Sequence, residues 1–126
     1  MQHIVLFTAG IFGTLTIILG AFGAHAFKKI LTEEKLSSFE VGVRYQMYAA
    51  FALLIIGYNG DFTQGTVRWA YYGIAFGTLL FSGSIYLLSF ADYWQVKLKF
   101  LGPITPIGGL LMIIGWISLM ISFCSL

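Results

Sequence analysis

The chain has 126 residues, of which 59% are hydrophobic and only 10% charged, with a formal net charge of +2. That length allows one domain, and a soluble domain so small has too little interior to hide this much apolar surface. The net charge is too small and too scattered for a nucleic-acid partner, and the single cysteine, Cys124, excludes an internal disulfide and an all-cysteine metal site.

The mean hydropathy of +0.89 has its source in long uncharged stretches separated by short charged clusters, the pattern a bilayer selects. Counting between charges gives four candidate spans, residues 1–27, 45–60, 69–91 and 100–126. The first, with Ala24-His25-Ala26 at its end, imitates a signal peptide with its cleavage site. No Lys or Arg precedes the run, however, and the run exceeds the usual apolar length of a signal, so it reads as the first membrane helix, 3–27. The second stretch would cover only about 24 Å of the roughly 30 Å of hydrocarbon, so its helix must start earlier. Thr32-Glu33-Glu34 reads as an N-cap followed by acidic first-turn residues, which suits the helix dipole and sets a helix at 33–58. That helix carries Glu40 and Arg44 toward the membrane. A short turn at 60–65 leads to a third helix at 67–91, and Pro103 and Pro106 mark the start of a fourth at 104–124, where proline is tolerated in the first turn. The fold class expected is all-α: one four-helix transmembrane domain over 1–126, an up-down antiparallel bundle with short loops.

Lys28, Lys29, Lys35 and Arg44 lie between helices one and two, Lys97 and Lys99 between three and four, and Arg68 alone on the other side. The positive-inside rule then places loops 28–44 and 92–103 in the cytoplasm and both termini outside the cytoplasmic membrane. Trp69, Tyr71 and Tyr72 would form the outer aromatic belt and Tyr93 and Trp94 the inner one.

Helices in lipid associate through close packing of small residues. Gly73 and Gly77 form a GxxxG pair on helix three, Gly20 and Ala24 (like Ala9 and Gly13) small-xxx-small pairs on helix one, and Gly108, Gly109 and Gly115 lie on helix four. Packing inside the bundle and self-association into a homo-oligomer are both open to these faces.

Ionisable residues at membrane depth are the default functional candidates because placing them there is costly. Here the inner ends of the helices hold His25, Glu40, Arg44 and Gln46, with Thr105 at the start of helix four, and topology returns all five to one level. We expect a polar cluster of His25, Arg44 and Gln46, with Glu40 at its rim, beside Thr105-Pro106, serving a ligand, lipid headgroup or partner. A purely structural reading stands beside it: a Glu40–Arg44 ion pair at i, i+4 and a set of side chains locking helix ends. Hydroxyls at Ser82, Ser84, Ser118 and Ser122 can satisfy their own helix backbone.

No phosphate-binding glycine loop, no HExxH and no Ser-His-acid set occurs, and no span has a carboxylate at its centre. His3 and His25 are separated by about 33 Å of one helix, so one chain cannot clamp a haem between them. The expectation is no enzyme activity, no cofactor and no metal.

Gly20-Ala21-Phe22-Gly23-Ala24-His25-Ala26, Arg44-Tyr45-Gln46 with Ala52-Leu53-Leu54, and Thr105-Pro106-Ile107-Gly108-Gly109 with Gly115-Trp116 resemble the YgdD/YwdK-like family of small bacterial membrane proteins, classed as a domain of unknown function. The resemblance covers essentially the whole chain and implies a four-span inner-membrane protein, with no activity to carry over. The resemblance also implies a departure at position 49, where this chain has Ala49 and members of the family usually have His. The function expected is that of a non-enzymatic accessory, assembly or structural component of the lipid bilayer, with a homo-oligomer or another membrane protein as partner. A small oligomeric transporter or lipid-binding protein is the alternative.

Overall fold

The computed structural model describes residues 1–124; Ser125 and Leu126, at the end of the fourth expected span, lie outside the described residues. Four helices follow in order: α1 (Gln2–His25), α2 (Glu33–Asn59), α3 (Gly65–Trp94) and α4 (Ile104–Cys124). Single 3-10 turns at Phe27–Lys29 and Lys99–Leu101 lie in the α1–α2 and α3–α4 connections. At 1.5 Å per residue the helices are about 30 to 45 Å long, and all four are long and apolar enough to cross a membrane.

Local chemistry sets their ends. Thr32 takes an extended conformation and its hydroxyl accepts from the Lys35 N–H at 3.2 Å, satisfying one of the free donors of α2's first turn, where Glu33 and Glu34 also sit. Beyond Asn59, Asp61 accepts from both the N–H and the hydroxyl of Thr63, at 3.1 and 2.6 Å. The hydrogen bond from the Thr63 side chain holds the Asp61 carboxyl below its ordinary pKa. Arg68 reaches back to the same turn, donating to the carbonyls of Phe62 and Thr63 at 2.7 and 3.0 Å. Gln95 ends α3 in the left-handed region at φ 56°, and its N–H returns to the carbonyls of Ala91 and Asp92.

Successive helices run antiparallel, as facing positions show. Leu6 meets Gly57 and Val43 meets Gly20 across α1 and α2; Tyr86 meets Gly42 across α2 and α3; Gly73 meets Gly115 and Gly77 meets Gly108 across α3 and α4. The fold is therefore an up-down bundle in which each helix packs chiefly on its chain neighbours. Val5, Ala9 and Phe12 of α1, Leu53 and Ile56 of α2 and Ile74 of α3 anchor the larger core. At the other end Phe39 and Phe90 bury with Leu31, and the Phe27 ring stands edge-on to both, at 5.2 and 4.8 Å.

The seam between α3 and α4 is made by glycine. A Cβ on Gly73 would stand 2.7 Å from the Gly115 Cα, and one on Gly77 would stand 2.7 Å from the Gly108 carbonyl oxygen. A Cβ on Gly108 would collide with the backbone nitrogen of Phe81. Backbone touches backbone here, which maximises dispersion contact where lipid supplies no hydrophobic drive. Gly108 and Gly115 are α4's only buried residues among those described; its other residues are exposed or partly exposed.

Candidate functional site

The five polar residues expected to gather at one level occupy four separate places. Gln46 is turned into the bundle, opposite Phe12 at the middle of α1, and is 6% exposed. Thr105, at the start of α4, is hydrogen-bonded to Ser84 of α3. Glu40 and Arg44 share a groove between α1 and α2 with Gly20 and Gly23. His25, in the last turn of α1, is exposed and lines none of these contacts, and Ala24 beside it is exposed as well.

Gln46 is the centre of the most connected of these places. Its Nε2 donates to the Phe12 carbonyl at 2.9 Å, and its Oε1 accepts from the Tyr86 hydroxyl at 2.6 Å, so one amide links α1, α2 and α3. One turn away Ser82 donates to the Gly42 carbonyl at 2.7 Å. Gly42–Gln46 on α2 and Ser82–Tyr86 on α3 are each i, i+4 pairs, so each presents both members on one face. Gly42 gives room for the Tyr86 ring: a Cβ there would stand 2.7 Å from Cε1. The ring lies across that gap and its hydroxyl reaches Gln46. Inside hydrocarbon such groups are costly unless paired, and here both ends of the amide are. The buried hydroxyls of Thr16 and Thr78, by contrast, have no hydrogen-bond partner.

Nearer the end of the bundle, Phe39, Phe90 and Tyr86 form an aromatic layer, and outside it Lys35 pairs with Asp92 at 3.8 Å. That is the one ion pair among the described residues. Glu40 and Arg44 do not close on each other despite their helical spacing; an exposed i, i+4 pair gains too little to hold two long side chains together.

A second groove opens because α2 and α4 flank α3 without packing on each other. Tyr45 and Tyr48 of α2, Phe81 of α3 and Gly109, Met112 and Trp116 of α4 line a space of 540 Å³. Tyr45 stacks in tilted fashion on Phe81 at 5.1 Å and edge-on to Tyr48 at 5.6 Å.

Sequence reasoning missed Tyr86 and Gly42. The available signal was the repeated spacing, a small residue four positions from a polar one on two consecutive spans, Gly42 with Gln46 and Ser82 with Tyr86.

Known proteins resemble this chain over most of its length. The "UPF0382 membrane protein" of Staphylococcus haemolyticus is 42% identical over 108 residues, covering 86% of this chain and 84% of the relative. The protein of the same designation from a bovine strain of Staphylococcus aureus is 47% identical over 103 residues, covering 82% and 80%. One from Staphylococcus epidermidis is 43% identical over the same coverage. No solved structure matches the chain significantly. Four apolar helices of spanning length and relatives named as bacterial membrane proteins make this a membrane protein that sits in a lipid bilayer. Residues 19–109, which run from the glycines of α1 through the buried Gln46 to the glycine seam on α4, match the model described as "Protein of unknown function (DUF423)", and the chain belongs to that family.

Proposed function

We propose that this protein is a non-catalytic, multi-pass component of the bacterial cytoplasmic membrane that acts by binding, as an accessory, assembly or structural element. The observation that carries the reading is the state of Gln46. A transporter would turn such a residue toward a water-accessible cavity, whereas here both ends of its amide are committed to Phe12 and Tyr86 inside the bundle. The polar interior thus serves to fix three helices, and recognition is left to the lipid-facing grooves and the loops.

In the proposed orientation the basic α1–α2 and α3–α4 connections face the cytoplasm and both termini lie outside. The distribution of Lys and Arg supports it; exposed Trp69 and Tyr72 toward one end of α3 and Tyr93 and Trp94 at the other fit belts at two surfaces in either orientation, while Tyr71, expected with the first pair, is buried and hydrogen-bonded to Thr8. A second reading, a small oligomeric lipid-binding protein or transporter, is favoured by the aromatic groove between α2 and α4. Purification in mild detergent with mass spectrometry of the intact assembly separates them. A polypeptide retained at fixed stoichiometry, another membrane protein or a second copy, supports the first reading. Retention of lipid with no polypeptide supports the second.

A further inference from the structure

The groove between α1 and α2 holds one cation and one anion in a fixed order along the helix axis. Its walls are Leu19, Gly20 and Gly23 on α1 and Phe39, Glu40, Val43 and Arg44 on α2, around 240 Å³. The glycines make it: a Cβ on Gly20 would stand 3.6 Å from the Val43 side chain, in ordinary contact, so any larger residue there would fill the groove. Arg44 lies level with Gly20, about 7 to 8 Å along the helix axis from the end of α1 at His25. We take that end, with Lys28 and Lys29 exposed in the turn that follows, as the membrane surface, where basic residues gather. Arg44 is therefore below the surface, exposed on the lipid side and outside any ion pair among the described residues. Glu40 is one turn nearer the surface, about 6 Å along α2, and likewise unpaired.

We propose that this groove binds the headgroup of a phospholipid that carries both a phosphate and a primary ammonium. In a bilayer the phosphate of such a lipid lies deeper, next to the glycerol, and the ammonium lies outward. Arg44, the deeper residue, offers a planar guanidinium suited to two phosphate oxygens. Glu40, the shallower, meets the ammonium. Leu19 and Val43 flank the start of the acyl chains. One guanidinium and one carboxylate make the groove neutral overall, so it matches a zwitterion; an anionic headgroup such as phosphatidylglycerol offers Glu40 only neutral hydroxyls and forgoes the ammonium's charge attraction. The order of charges relative to the surface holds whichever face of the membrane this end occupies, and whether or not the protein also carries a polypeptide partner.

The test is competition between phosphatidylethanolamine and phosphatidylglycerol for the full-length protein in detergent, read by native mass spectrometry. The wild type should retain phosphatidylethanolamine about threefold over phosphatidylglycerol at equal concentration, the ratio one exposed charge pair supplies. Glu40 is exposed, so Glu40→Gln folds; it should bring that ratio to about one while leaving phosphatidylglycerol bound. Arg44→Gln should lose both lipids, as should Gly20→Leu, which fills the groove without touching either charge. Lys29→Gln, outside the groove, should leave the preference intact. Equal retention of the two lipids by the wild type, or a preference that survives Glu40→Gln, would overturn the assignment.

Discussion

The Tyr86 hydroxyl donates to Oε1 of Gln46 at 2.6 Å, joining α2 to α3 in the interior of a membrane bundle. The same amide donates to α1 through the Phe12 carbonyl, so a single side chain holds the register of three helices. Tyr86→Phe leaves one end of that amide unpaired and should cost about 1 to 2 kcal/mol. A double-mutant cycle with Gln46→Leu should show coupling of about 0.5 to 2 kcal/mol in reversible unfolding. Gly42→Ala should lower stability through the same bond, because the added Cβ displaces the Tyr86 ring. Additive effects of Tyr86→Phe and Gln46→Leu would show that the bond contributes nothing.

The glycine seam gives a sharper contrast. Gly108→Ala places a methyl against the Phe81 backbone and Gly77→Ala against the Gly108 carbonyl, neither of which can move without separating α3 from α4. Each should cost about 1 to 3 kcal/mol. Gly83 lies on the same helix, with nothing within 4 Å of its would-be Cβ, so Gly83→Ala should be neutral or stabilise by up to about 1 kcal/mol. Equal effects at Gly83 and Gly108 would mean that helix propensity, not contact, governs these positions.

Two neighbouring hydroxyls on α3 should behave in opposite ways. Thr78 is buried with its hydroxyl unpaired, whereas Ser82, one turn on, donates across to Gly42. Thr78→Val keeps the shape and removes the unpaired group, and should leave stability unchanged or raise it by up to about 1 kcal/mol. Ser82→Ala should lower it by about 0.5 to 1.5 kcal/mol. Thermal unfolding in one detergent compares them directly.

These contrasts also mark what could be read from residues alone. Gaps between charges located four spanning helices, and Thr32 ahead of two glutamates located the start of α2 outside the second apolar stretch, where its hydroxyl caps Lys35. Depth was legible only in part: position along a helix follows from chain count, but Gln46 reaches Phe12 at the middle of α1, about 20 Å along that helix from His25. Azimuth was not. A helix in lipid is apolar on both its buried and its exposed faces, so periodicity says little about which side turns inward. Gln46 and Arg44 are two residues apart, yet one is buried against α1 and α3 while the other faces a lipid-side groove. Gathering them with His25 and Thr105 at one level ignored both azimuth and the length of α1 that separates Phe12, the partner of Gln46, from His25. Gly73 and Gly77 could be named from their spacing, but that Gly108 and Gly115 of the same chain sit against them is a fact of packing.

The orientation proposed from Lys and Arg can be tested with the native cysteine. Cys124 is exposed at the end of α4. In intact spheroplasts it should react with a membrane-impermeant thiol reagent, while a cysteine replacing Ser37, before the membrane portion of α2, should be protected until the cells are lysed. The reverse pattern would invert the bundle in the membrane without altering its four spans.

Whether the interior is a lock or a water pathway is read most directly at Ser82. Ser82 is 2% exposed and lies beside the Gln46–Tyr86 bond, and Ser82→Cys is close to isosteric. With Cys124→Ser as background, membranes carrying that substitution should be treated with a small, water-soluble thiol reagent from both sides. The lock predicts no labelling until the protein is unfolded in denaturing detergent. Labelling in intact membranes at the rate of an exposed cysteine would contradict it, and would place water next to Gln46.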